Sequence, residues 1–217
     1  MIKRSTCVII ISLFLILGAS VRQSYATVLI FGDGLWGDFQ GSFTYSSTNS
    51  AAAVINVVLK NTSAVANGGY LTGMAFNNPD NLIKGITGTS FSNNSFKLLN
   101  TENGINAAPY GYFDIGAALG GNFLGGGSPN SGIAVGDTAE FTFYLTGINL
   151  NTLNESSFIN EMSKGGDEFF IARFKGFNNG QSNKTPGSVT PEPASLSLLG
   201  LGLLGLAALR KKGDSSI

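Results

Sequence analysis

The stretch that most restricts this chain lies near its C-terminus: Pro191-Glu192-Pro193, then residues 194–209 (ASLSLLGLGLLGLAAL), then Arg210-Lys211-Lys212. Those sixteen uncharged, mostly apolar residues offer no polar face, so they do not suit a helix lying on a soluble domain. At 1.5 Å per residue they make roughly 24 Å of helix, against a bilayer core of about 30 Å. Snorkelling cations and local thinning close that gap. A transmembrane helix over residues 194–209 is therefore expected, with the three cations as a cytoplasmic stop-transfer cluster and the preceding domain outside. Pro191 and Pro193 favour an extended chain just before the membrane.

The N-terminus reads as an address too. Lys3 and Arg4 precede an apolar run at residues 8–17 (VIIISLFLIL), and a polar stretch ends at Ala26. A basic start, a short apolar segment and small residues at the exit make a secretory signal peptide over residues 1–26. Ser24 and Ala26 occupy the −3 and −1 positions of a cut before Thr27. The ten apolar residues are short for a permanent span. The only cysteine, Cys7, falls inside this segment, so core packing rather than disulfides is expected to hold the mature chain.

Taken together, the Pro-Glu-Pro triplet, the Gly/Leu-rich span and the terminal basic cluster resemble the PEP-CTERM sorting signal of Gram-negative bacteria. That resemblance implies an exosortase-like membrane transpeptidase as partner, with Pro191, Glu192 and Pro193 as the recognition motif. It also implies transient anchoring in the inner membrane, then delivery to the cell surface or beyond. The segment at residues 54–77 (VINVVLKNTSAVANGGYLTGMAFN) is similar to β domains often found ahead of such tails, a likeness that brings no activity with it.

Between the two addresses, seven cations face eleven acids, a net charge of −4 over residues 27–189. No nucleic-acid partner is expected from so weak a basic content. The pattern is that of strands. In residues 139–146 (AEFTFYLT), Phe141, Phe143 and Leu145 share one face while Glu140, Thr142 and Tyr144 share the other. Residues 41–45 and 168–174 read likewise, residues 52–60 read as a strand from their β-branched content, residues 70–76 read as a further strand, and Asn67-Gly68-Gly69 marks a turn. Residues 153–164 suggest one helix, capped by Asn154 with Phe158, Ile159 and Met162 as its apolar stripe. The expected domain is an all-β, mostly antiparallel β-sandwich with one short helix over residues 27–175, a barrel being the alternative closure. Residues 176–189 (GFNNGQSNKTPGSV) read as a polar linker.

The chain has no histidine, which removes Ser-His-Asp and Cys-His catalysis and imidazole metal ligation. The acids lack the D-x-[DN]-x-[DN]-G calcium spacing, and no phosphate-loop motif occurs. No catalytic residue, metal site or cofactor is expected. A flat aromatic ring is suited to stacking on sugars. The candidates are Trp36, Tyr110 and Tyr112, with Tyr45 and Tyr70 beside them, and core packing is the competing role for each. Tyr110 and Tyr112 would share a face if both lay in one strand. Four N-x-[ST] triplets, starting at Asn61, Asn93, Asn154 and Asn183, are weak glycosylation signals in so Asn-rich a chain. The expected function is that of a non-enzymatic exported surface or matrix protein. The alternative is a carbohydrate-binding module for envelope or extracellular polysaccharide.

Overall fold

The computed structural model describes residues 27–189. The expected signal peptide (1–26) and the sorting tail, including the helix at 194–209, lie outside the described residues. Among the described residues eleven strands follow one another: β1 (Thr27–Phe31), β2 (Phe39–Ser47), β3 (Ala52–Asn61), β4 (Gly68–Phe76), β5 (Ile83–Phe91), β6 (Phe96–Asn106), β7 (Tyr112–Leu119), β8 (Thr138–Gly147), β9 (Phe170–Phe177), β10 (Ser182–Pro186) and β11 (Ser188–Val189). Among the described residues one α-helix, α1 (Glu155–Asn160), sits between β8 and β9.

All pairings are antiparallel, in two sheets ordered β11-β1-β2-β3-β8-β5 and β10-β9-β4-β7-β6. The sheets pack face to face as a β-sandwich. Alternation places the core: Ala53, Ile55, Val57 and Leu59 of β3 point inward beside Ala139, Phe141, Phe143 and Leu145 of β8. In register, Ile55 faces Phe143 and Val57 faces Phe141. From the other sheet Phe76 meets Phe43 and Phe143 edge-on, with ring centroids 5.5 and 5.6 Å away. Edge-to-face geometry sets the positive ring edge against the negative face, which adds to the gain from burial.

The five-stranded sheet is buried on both faces. Its outer face carries a second cluster of Ala75, Ile105, Ala107, Phe113, Ala118, Phe123 and Ile171. Phe123 belongs to the glycine-rich crossing after β7, whose residues 125–132 form a largely exposed loop. Gly69, the second residue of β4, sits at φ 89°, where an added Cβ would run into the Phe177 ring, so only glycine serves there.

Two expectations need correction. The helix is half the length the periodicity suggests, because Glu161 turns extended at φ −87°, ψ 108°. Asn154 does cap it, its side chain accepting from the Ser157 N–H while the Ser157 hydroxyl bonds back to the Asn154 N–H. Phe158 is buried, but Met162 lies beyond the helix and is 47 % exposed. The second correction concerns residues 176–189, which form no linker. Gly180 N–H closes a turn onto the Phe177 carbonyl at 2.8 Å, and β10 then runs back along β9 from Ser182 opposite Lys175 to Pro186 opposite Ile171. Thr185 is fully buried and its Oγ1 donates to the Gly37 carbonyl at 2.6 Å. β11 then crosses to the other sheet and pairs with β1. The polar composition misleads because β10 is an edge strand that turns only Thr185 fully inward, and an edge tolerates Pro186.

Candidate functional site

β1 and β11 lie side by side at one edge of the six-stranded sheet, Ile30 opposite Val189 and Phe31 opposite Ser188. The two ends of the described residues therefore leave the sandwich at one edge, with Thr27 three positions from Ile30. Pro191, Glu192 and Pro193 begin two residues past Val189, and Arg210, Lys211 and Lys212 follow later. All six lie outside the described residues. What the structure adds is the handover: the chain passes from a hydrogen-bonded strand to the sorting triplet with a single residue between.

The aromatic candidates do not converge. Trp36 is half-buried against the main core, its ring centroid 6.0 Å from that of Phe177. Tyr112 is 44 % exposed and sits at the start of β7, where its backbone exchanges hydrogen bonds with Lys164. Phe177 pairs with Gly68 at one end of β4, whereas Ile115 pairs with Phe76 at the other. Eight strand residues separate those ends, roughly 26 Å at 3.3 Å each, so Trp36 and Tyr112 share no platform. Tyr110 does not share a strand face with Tyr112 either. It closes a turn containing the cis Ala108–Pro109 bond, donating its N–H to the Ala107 carbonyl, and it packs against the outer cluster. Tyr45 belongs to the core at 4 % exposure, with its hydroxyl donating to the Leu150 carbonyl at 2.7 Å. Burial, and secondarily the Glu155 carboxylate, push the Tyr45 phenol up to about 12. Tyr70 is half-buried beside Pro129 and Gly176. Tyr144, on the outer face of β8, is as exposed as Tyr112.

Three polar side chains that the sequence leaves unremarked, or reads otherwise, hold this scaffold together. Asn61 starts an N-x-[ST] triplet yet is fully buried. Its Nδ2 donates to the Ile133 and Gly69 carbonyls, and its Oδ1 accepts from the Ser63 N–H. An amide so enclosed pins the turn after β3 and offers nothing to a glycosyl donor. Asn78 closes a ring with Ile83 through both backbone groups, at 2.9 and 3.0 Å. Asp114, 8 % exposed, accepts the Asn78 N–H at 2.9 Å and the Asn103 N–H at 2.5 Å. The signal for such roles is an Asn or Asp at a strand end beside a turn, which is common enough to be uninformative without the fold.

Two of the recesses among the described residues differ in chemistry. One, about 260 Å³, is lined by Asn78, Asn81, Ile83, Lys84, Asn100, Glu102 and Asp114. Nearby, Glu161 is held above its ordinary 4.5, first by burial and then by the charges of Asp80 and Asp114, against a hydrogen bond from the Asp80 backbone. The other, about 300 Å³, lies between β6 and the glycine-rich crossing. Leu99, Ile105, Phe123 and Leu124 give it apolar walls and Thr101, Asn106 and Asn122 give it neutral polar groups. It has no ionisable side chain, so it offers contact and hydrogen bonds but no proton transfer. Among the described residues, no three His, Cys, Asp or Glu side chains come together in a way that would hold a metal. No helix of the described residues is long and apolar enough to cross a membrane.

No curated protein and no solved structure matches the chain. One family model does, the PEP-CTERM protein-sorting motif, over residues 189–212. The match spans the Pro-Glu-Pro triplet, the apolar run and the basic cluster, and it starts on the last residue of β11. It implies export, transient membrane anchoring and processing by an exosortase-type membrane enzyme. The chain is thus an exported β-sandwich protein that carries, directly after its last strand, the sorting tail of PEP-CTERM proteins.

Proposed function

We propose that this protein is a non-enzymatic component of the cell surface or extracellular matrix, released or attached there after its tail is processed. The observation that carries the reading is the continuity of the sorting motif with the sandwich edge: the motif starts where β11 ends. The folded domain is then the cargo, and Pro191, Glu192 and Pro193 present the processing motif immediately outside it. Replacing Pro191, Glu192 and Pro193 together with alanine in the native host tests the reading. The variant is expected to stay in the inner-membrane fraction, whereas the parent reaches the surface or medium. Equal distribution of both would remove the role given to the triplet.

The carbohydrate-binding alternative now rests on Tyr112, the exposed ring among the three candidates. Loss of binding to extracellular polysaccharide in Tyr112→Ala, with Trp36→Ala unchanged, would support it. A glycan that binds both variants as well as the parent argues against it.

A further inference from the structure

The outer face of the five-stranded sheet gathers three cations. β9 turns Phe170, Ala172 and Phe174 into the main core, so Ile171, Arg173 and Lys175 face outward. Lys184 of β10 lies directly opposite Arg173 in register. Arg173 is 9 % exposed, and its Nε finds no hydrogen-bond partner among the described residues. On its other flank β4 supplies Gly73, which has no side chain to fill the space, and the Phe123 ring lies 3.2 Å from where a Cβ would stand there. Burial lowers the Arg173 pKa, and Lys175 and Lys184 are lowered by burial and then by the Arg173 charge.

The lysines have structural work. Lys175 Nζ donates to the Gly126 carbonyl at 3.4 Å, and Lys184 Nζ donates to the Ala108 carbonyl. Each ammonium keeps further N–H groups beyond that bond. The turn at 107–110 and the glycine-rich crossing thus wall the patch from two sides. Among the described residues nothing comparable accounts for the Arg173 Nε. A buried Nε–H without a partner costs free energy that an apolar side chain of similar length would avoid. Its planar fork of five donors matches two oxygens of one anionic group.

We propose that Arg173, Lys175 and Lys184 form a binding site for a single oxyanion, a carboxylate, sulfate or phosphate group gripped by the guanidinium with the two ammonium groups beside it. The site goes beyond the sorting role and stands independently of it.

The full-length chain in non-ionic detergent, at constant ionic strength, is melted with sodium sulfate and with sodium chloride. Sulfate also stabilises proteins by exclusion from their surface, so the readout is the difference between the parent and Arg173→Met. At ten times the dissociation constant, the parent is expected to gain roughly 3–5 °C more than the variant. Lys184→Gln keeps the arginine and is expected to weaken sulfate binding about 3–10-fold, which preserves the test if Arg173→Met folds poorly. A polygalacturonate gel, with neutral dextran as control, identifies the source of the anion. Retention lost in Lys184→Gln and Arg173→Met supports the site and places the anion on an acidic polymer; sulfate binding without retention supports the site for a free anion. The same sulfate shift in the parent and both variants overturns the proposal. So does a parent that binds neither sulfate, phosphate nor polygalacturonate.

Discussion

Thr185→Val isolates the step from domain to tail. The substitution keeps the branched shape, including the methyl packed near Gly32 and Gly34, and replaces the hydroxyl that donates to the Gly37 carbonyl at 2.6 Å. Residue 185 is fully buried, so water cannot replace the lost donor. Leaving a buried carbonyl unpaired costs about 1–3 kcal/mol. The new methyl also meets tight quarters, because an added Cβ on Gly34 would already crowd Thr185 Oγ1. For a domain of this size, each kcal/mol moves the melting point by about 2–4 °C, so a fall of roughly 3–10 °C is expected. Urea unfolding should show a lower midpoint with an unchanged slope. Ser182→Ala, at an exposed position of the same strand, is the control and should stay within about 0.5 kcal/mol. If Thr185→Val and Ser182→Ala unfold alike, residues 182–189 are not a fixed part of the sandwich and the handover at Val189 is wrong.

Other perturbations probe the core and the buried polar groups. Phe76→Ala removes a ring that meets Phe43, Phe143 and Phe158, and should cost about 3–5 kcal/mol by urea unfolding. A loss under about 1 kcal/mol would mean the two sheets do not pack as described. Tyr45→Phe should be less stable than the parent by about 1 kcal/mol at pH 8, through the lost bond to Leu150. Because the Tyr45 phenol is raised from 10.0 to about 12 in the fold, the parent's advantage is present below pH 10 and is lost as pH climbs towards 12. A constant difference across that window would contradict the burial of the hydroxyl. Glu161 is likewise raised above 4.5, so its ionisation weakens the fold as pH rises through the shifted value. Glu161→Gln should therefore gain on the parent in melts at pH 7 and lose that gain at pH 4. A truncation ending at Val189 should fold, whereas one ending at Lys175 leaves β9 and β1 with bare edges and should aggregate or melt early.

The strands that were easy to read are those with one wet face. β3 and β8 alternate because Asn56, Glu140 and Tyr144 meet solvent on the outside while Ile55, Val57, Phe141 and Phe143 fill the core. β4, β7 and β9 lose that alternation because Phe123, Ala107 and their neighbours cover the outer face as well, and so Ala75, Ala118 and Ile171 are buried too. For β4 and β9 that covering comes from loops distant in sequence, and for β7 from the loops at its own two ends. β10 was hidden for the opposite reason: an edge strand of Ser, Asn, Lys, Thr and Pro looks like a linker until Thr185 is seen to reach Gly37, 148 residues away. The site residues divide in the same way. The sorting tail is legible because its three parts act in linear order. Arg173 reads as one cation among the seven of residues 27–189, and its significance lies in the partner that its Nε lacks among the described residues. Tyr110 and Tyr112 would share a face only within one strand, and their spacing does not show that Tyr110 closes the turn before β7.

The intact mass of the protein recovered from its native envelope tests the sorting claim most directly. A species beginning at Thr27 and lacking the apolar run and basic cluster that follow Pro193 is the expected product. Recovery of the whole chain, with residues 1–26 and 194–217 still attached to the surface-exposed protein, would contradict it.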